Sequence, residues 1–204
     1  MSMGLIEARS SVVVIIDHQA KLMPAIHRAD DVISGAVLLA DTAKLFAIPV
    51  IGTEHNPEKL GQLDCRIRGH CDAVVSKMHF DACADGLLST IAMIAPAAPR
   101  ELIICGCEAH VCLLQTALSL LAAGYRLRVV ASACGSRSPD DFHLALKRLD
   151  ASGASIVNLE MVLFEWLRTC DHPHFKRVLA RIKARSVDRR GGEGLLGQLR
   201  DDVG

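Results

Sequence analysis

Six successive residues without charge, five of them β-branched, run from Ser11 through Val12-Val13-Val14-Ile15-Ile16 to an acid, Asp17. β-Branched side chains favour extended backbone. A run with no polar alternation has no face to offer water, so it reads as a strand buried on both sides. Such strands belong in a parallel sheet with helices covering each face. The rest of the chain agrees. Further short aliphatic runs fall at Pro49–Thr53, Ala73–Ser76, Glu101–Cys105, Arg126–Ala131 and Ser155–Val157. Segments with helical spacing separate them: Asp31–Phe46, Gly86–Ala95 (stopped at Pro96), His110–Ala123 (closed by Gly124) and a helix to about Ala151. That last helix opens at Ser138-Pro139-Asp140-Asp141, a capping serine, a proline in the first turn and two acids at the positive end of the dipole. Met161–Arg168 and Pro173–Arg185 read as closing helices. The pattern predicts an α/β fold, a three-layer α/β/α sandwich around a six-stranded parallel sheet.

The 204 residues suit one domain that buries about 70% of its unfolded surface. We expect that domain to span residues 8–185, with 186–204 a C-terminal tail that is loose or ordered by a partner. Charge is balanced, 23 basic against 23 acidic residues, so no basic face points to nucleic acid. The basic stretch Arg177–Arg190 reads as the solvated side of a terminal helix. Eight cysteines raise the question of disulfides, but Met1–Ser10 carries Glu7 and Arg9 and has no apolar signal core. A reduced, cytoplasmic chain with packed thiols is the simpler account. No apolar run reaches the roughly 18 residues of a membrane span.

In a parallel sheet, ligands gather beyond the carboxyl ends of the strands. Three reactive residues follow strand ends there: Asp17, Lys77 and Cys112. Cys112 stands at the first turn of a helix, where unpaired N–H groups and the dipole favour thiolate over thiol. Asp17 would accept its proton and return it to a leaving group, although an acid at a strand end also serves as a helix cap. Lys77 would supply positive charge to both, although a lysine there also snorkels to water. Convergence on one rim favours the catalytic readings.

Three stretches then carry a resemblance: Val14-Ile15-Ile16-Asp17-His18-Gln19, Ser76-Lys77-Met78-His79-Phe80-Asp81-Ala82, and Gly106-Cys107-Glu108-Ala109-His110-Val111-Cys112-Leu113-Leu114-Gln115-Thr116-Ala117. Ser136-Arg137-Ser138-Pro139 and Glu160-Met161-Val162-Leu163-Phe164-Glu165 add to it. In this order, over residues 8 to 184, the chain resembles the isochorismatase-like cysteine hydrolases, a superfamily that includes nicotinamidases and N-carbamoylsarcosine amidohydrolase. The resemblance implies a Rossmann-like fold and a catalytic Asp17–Lys77–Cys112 triad. It also implies a cis peptide at Cys107–Glu108, a bond that costs roughly 3–4 kcal/mol outside proline. The backbone N–H groups of Glu108 and Cys112 would form an oxyanion hole. The implied reaction is hydrolysis of a small molecule, with an amide-type C–N bond the expected target. Ether or imine substrates, or a non-catalytic thiol sensor on the same fold, are the alternatives.

Metal-dependent members carry an Asp-x-His element after the second strand. Here the region reads Gly52-Thr53-Glu54-His55-Asn56-Pro57, so no metal and no other cofactor is expected, and His55 reads as a loop histidine. His110, two residues from Cys112, points elsewhere on a helix and is not its base. Cys105 and Cys107 read as packed thiols. The family's oligomers imply a homo-oligomer, a dimer or larger, with Val37–Ala43 and Leu113–Ala122 as candidate faces.

Overall fold

β1, Ser11–Ile16, lies in the middle of the sheet with every residue buried, as its unbroken β-branched composition requires. The structure, a computed structural model, describes residues 4–95 and 101–185. Among these residues six strands form one sheet in the order β3-β2-β1-β4-β5-β6: β2 is Val50–His55, β3 Ala73–Lys77, β4 Glu101–Gly106, β5 Arg126–Val130 and β6 Ser155–Val157. All neighbours are parallel, as expected.

The strand order runs outward from β1 one way through β2 and β3, then returns to β4 and runs the other way. Right-handed crossovers in opposite directions place their helices on opposite faces, which makes three layers. Helix α1, Ala29–Leu45, packs on β1 and β2 together with α3, Cys65–Arg68; a short helix, α2, Pro57–Leu60, precedes α3. Helix α4, Leu87–Ile94, packs on β3. Helix α5, Leu114–Ala122, packs on β5 and on α6, Pro139–Ala151. Ser138 caps α6 as its sequence predicts, its hydroxyl accepting from Asp140 N at 3.2 Å. Helix α7, Leu159–Leu167, follows β6.

The chain divides into two compact units. Met1–Trp166 holds the sheet; Leu167–Gly204 contains a helix over residues 175–185. The expected tail, 186–204, and Pro96, the expected stop of α4, lie outside the described residues. The aliphatic stretches offered above as oligomer faces are used within the chain instead. Leu38, Leu39, Ala40 and Ala43 of α1, and Leu113, Leu114, Ala117 and Leu120 at and within α5, are all buried, because the sheet between them needs its two faces covered.

Candidate active site

Asp17, the residue after β1, adopts a left-handed backbone (φ 54°), a conformation that aspartate tolerates better than most residues. Its carbonyl accepts from Gln19 N at 2.8 Å, so the chain turns sharply at the carboxyl edge of the sheet. The side chain is fully buried. Thr53 Oγ1 donates to Asp17 Oδ1 at 2.6 Å, and Lys77 Nζ stands 2.7 Å from Oδ2 with both side chains shut off from solvent. Oδ2 receives no well-aligned hydrogen bond in this contact. Lys77 also donates to the carbonyls of His79 (3.3 Å) and Phe80 (3.2 Å). An ammonium removed from water is retained only where such partners replace the water.

Cys112 joins this pair, near enough for the Asp17 and Lys77 charges both to act on its thiol. It is not the ready thiolate that a helix start predicts. Burial is the largest influence and the Asp17 carboxylate the next; both favour the neutral thiol, and Lys77 only partly opposes them. Its pKa is pushed up to about 12. The helix dipole is worth much less than desolvation of a thiolate that is only 6% exposed. The residue also sits within a π turn, Ala109–Leu113, rather than an ordinary helical one. Val111 N and Leu113 N both reach the Glu108 carbonyl, at 3.0 and 3.3 Å. Single π turns of this kind recur at functional sites.

The expected cis bond at Cys107–Glu108 is corrected: every peptide among the described residues is trans. Cys107 is held in extended continuation of β4, its N–H on Ile16 O at 2.9 Å and its backbone bridged to Gly135. The chain then turns at Glu108 by ordinary torsions (φ −54°, ψ 116°).

Neighbouring residues fix the rim. Ser136 Oγ accepts from Ala109 N at 3.1 Å and lies 3.0 Å from His110 Nδ1. Glu108 takes the Arg137 guanidinium at 2.6 Å. His110 is thus engaged by Ser136 and, at 3.5 Å, by Glu108. Cys107 packs its sulfur 3.7 Å from that of Met23, and all eight cysteines are free thiols.

His55 is not a loop histidine. It ends β2 in register with Lys77, its ring 5.2 Å from that of Phe80. Burial and the Lys77 charge lower its pKa, keeping the imidazole neutral. Among the described residues no group of three or more His, Cys, Asp or Glu side chains gathers in a way that could hold a metal ion.

Sequence reasoning missed Thr53 and Gln19. Gln19 is buried and pairs like a strand residue, its amide accepting from His55 N (2.8 Å) and donating to His55 O (3.0 Å) and Gly61 O (2.6 Å). The signals were present but weak: a hydroxyl in a buried strand, and an amide two residues after the acid.

Known proteins share this arrangement of elements. The isochorismatase domain, as a family model, matches residues 11–161. Isochorismatase domain-containing protein 2A of Mus musculus is 32% identical over 191 residues, covering 89% of this chain and 87% of its own. Among solved structures, the MAR1 ribonuclease from Caenorhabditis elegans superposes with a TM-score of 0.81 at 30% identity, covering 88% of this chain and 92% of that one. The ycaC gene product of Escherichia coli, described as an octameric hydrolase of unknown specificity, gives 0.78 at 20% identity with both chains fully covered. The protein whose sheet brings Asp17, Lys77 and Cys112 to one edge belongs to the isochorismatase family of hydrolases.

Proposed function

We propose that this protein is a cysteine hydrolase that cleaves an amide-type C–N bond of a small molecule through a Cys112 thioester. The observation that carries this reading is the solvent-free Asp17–Lys77 ion pair at 2.7 Å with the Cys112 thiol beside it. Cys112 rests as a neutral thiol, so its attack must be coupled to proton transfer. Asp17 Oδ2 takes the thiol proton as the sulfur bonds to the carbonyl carbon. Lys77 offsets the negative charge that the sulfur and the carboxylate share. The oxyanion is held by the backbone N–H groups of Glu108 and Cys112; one such donor is typically worth about 3–4 kcal/mol in the transition state. As the C–N bond breaks, the nitrogen leaves with the proton from Asp17. Water, deprotonated by Asp17, then attacks the thioester, the C–S bond breaks and the thiol regains its proton. No cofactor enters these steps.

The sensor alternative fits less well. Redox-sensing cysteines are low-pKa and accessible, whereas Cys112 is buried with its pKa raised. The reading extends to residues 8–185 as the hydrolase domain, to a reduced, cytoplasmic setting for eight free thiols, and to a homo-oligomer. Apolar side chains left exposed, among them Met78, Phe80, Met161 and Phe164, would supply the faces that α1 and α5 do not. The reading takes a small molecule as its target and no nucleic acid, in line with the balanced charge. No helix among the described residues is long and apolar enough to cross a membrane.

A panel of small amides, enol ethers, imines and a short RNA tests the reaction. Turnover of an amide that falls by at least about 10³-fold in Cys112→Ala is the expected result. Amide hydrolysis that survives this substitution, or turnover confined to another class, would sink the proposal.

A further inference from the structure

The loop that follows Lys77 is tied to the helix that follows Cys112. Lys77 depends on this loop, since two of the acceptors around its ammonium are the carbonyls of His79 and Phe80. The loop closes partly on itself: Asp85 accepts from Met78 N and His79 N, each at 2.9 Å, and Asp81 accepts from Cys83 N at 2.8 Å. These bonds shape the loop but do not place it against the rest of the site. Placement comes from α5. Ser119 Oγ donates to Asp81 Oδ2 at 2.6 Å, and Thr116 Oγ1, fully buried, accepts from Ala82 N at 3.0 Å. The Thr116 hydroxyl also lies 3.4 Å from Phe80 O, too long to count for much beside the Ala82 bond.

Helical geometry explains why these two residues perform this task. Thr116 stands four residues after Cys112 and Ser119 three after Thr116, so successive turns present them along one side of the element. The turn that carries the nucleophile and the turns that grip the lysine's loop therefore move as one body.

We propose that Thr116 is a positioning residue: by fixing the loop at Ala82 it holds the Phe80 carbonyl against the Lys77 ammonium, and so keeps the lysine in place opposite Cys112. This inference rests on the hydrolase reading of the triad. Its test uses no substrate, so it stands or fails separately from the search for a reaction.

The test is the rate of Cys112 alkylation by iodoacetamide between pH 7 and 9.5, in wild type, Thr116→Val and Thr116→Ser. Valine keeps the shape and removes the acceptor. If Lys77 loses its placement, less thiolate forms and alkylation slows by about fivefold or more at every pH, given a tenfold change per pKa unit. Serine restores the acceptor and should return the rate to within about twofold of wild type, on the same scale. A merely structural role predicts the opposite sign, because loosening the packing exposes a buried thiol and speeds its reaction. An unchanged or faster rate in Thr116→Val, or a slow rate that serine does not restore, would overturn the proposal. Should the valine variant fail to fold, Ser119→Ala removes the neighbouring tie at a partly buried position. A slowing of about twofold is expected there, and no slowing would count against the proposal.

Discussion

Cys112 holds its proton at rest because removal from water penalises a thiolate more than Lys77 favours it. Thiolate should therefore increase about tenfold per pH unit across the neutral and mildly alkaline range, with no plateau near the ordinary thiol value of about 8.5. The pH dependence of alkylation checks this, and a plateau below pH 9 would refute it. The two neighbours act with opposite sign. Asp17 raises the pKa and Lys77 lowers it, so Asp17→Asn should speed alkylation and Lys77→Met should slow it; shifts in the same direction would dissolve the triad. At this scale the meeting of Asp17, Lys77 and Cys112 was legible in the sequence because each ends a strand or opens a helix in a parallel α/β pattern. The direction of the Cys112 shift was not, since it depends on what surrounds the sulfur. Thr53, Gln19 and Thr116 were equally hidden: each acts on a group 34 to 36 residues away in the chain, and no spacing rule reports that.

Elements were read well wherever composition alone decides them. β6 was expected at Ser155–Val157 and lies there, and β1 needed only its last residue trimmed. The end of β2 was missed. Glu54 and His55 look like loop residues, yet the strand continues through both because Gln19 and Lys77 supply its edge partners. The passage from β4 into α5 carries a tight constraint. A Cβ built on Gly106 would stand 2.6 Å from Ile16 Cβ and 3.3 Å from Leu113 Cβ, so glycine lets β4 and the turn that carries Cys112 approach β1. Gly106→Ala should cost about 1–3 kcal/mol, as overpacking does, and should lower alkylation or turnover at Cys112 by displacing the turn. Denaturant midpoints measure the first effect; a midpoint equal to wild type would show that the approach is not tight.

At the scale of the molecule, acid sensitivity has an identifiable source in His18. It is completely buried, with Nε2 against the Ala133 carbonyl at 3.1 Å and no partner for Nδ1. Burial lowers its pKa from 6.5 to about 4, so the folded state keeps it neutral. Between these values the unfolded chain binds a proton that the folded one refuses. The stabilisation is therefore fully present above pH 6.5 and is lost as pH falls towards 4, by roughly 3 kcal/mol over the window. Urea unfolding across pH 4–7 should show this slope, and His18→Gln should flatten it; an equal slope in the variant would place the sensitivity elsewhere.

By itself the sequence determined the α/β class, the parallel sheet and the edge at which Asp17, Lys77 and Cys112 meet, because side-chain branching, hydrophobic period and helix signals are local properties. Tertiary structure alone decided the trans bond at Cys107–Glu108, the neutral thiol at Cys112 and the ties from α5 to the lysine's loop. Each of these depends on groups far apart in the chain, or on the loss of water, and dielectric surroundings and long-range contacts exist only once the chain has folded.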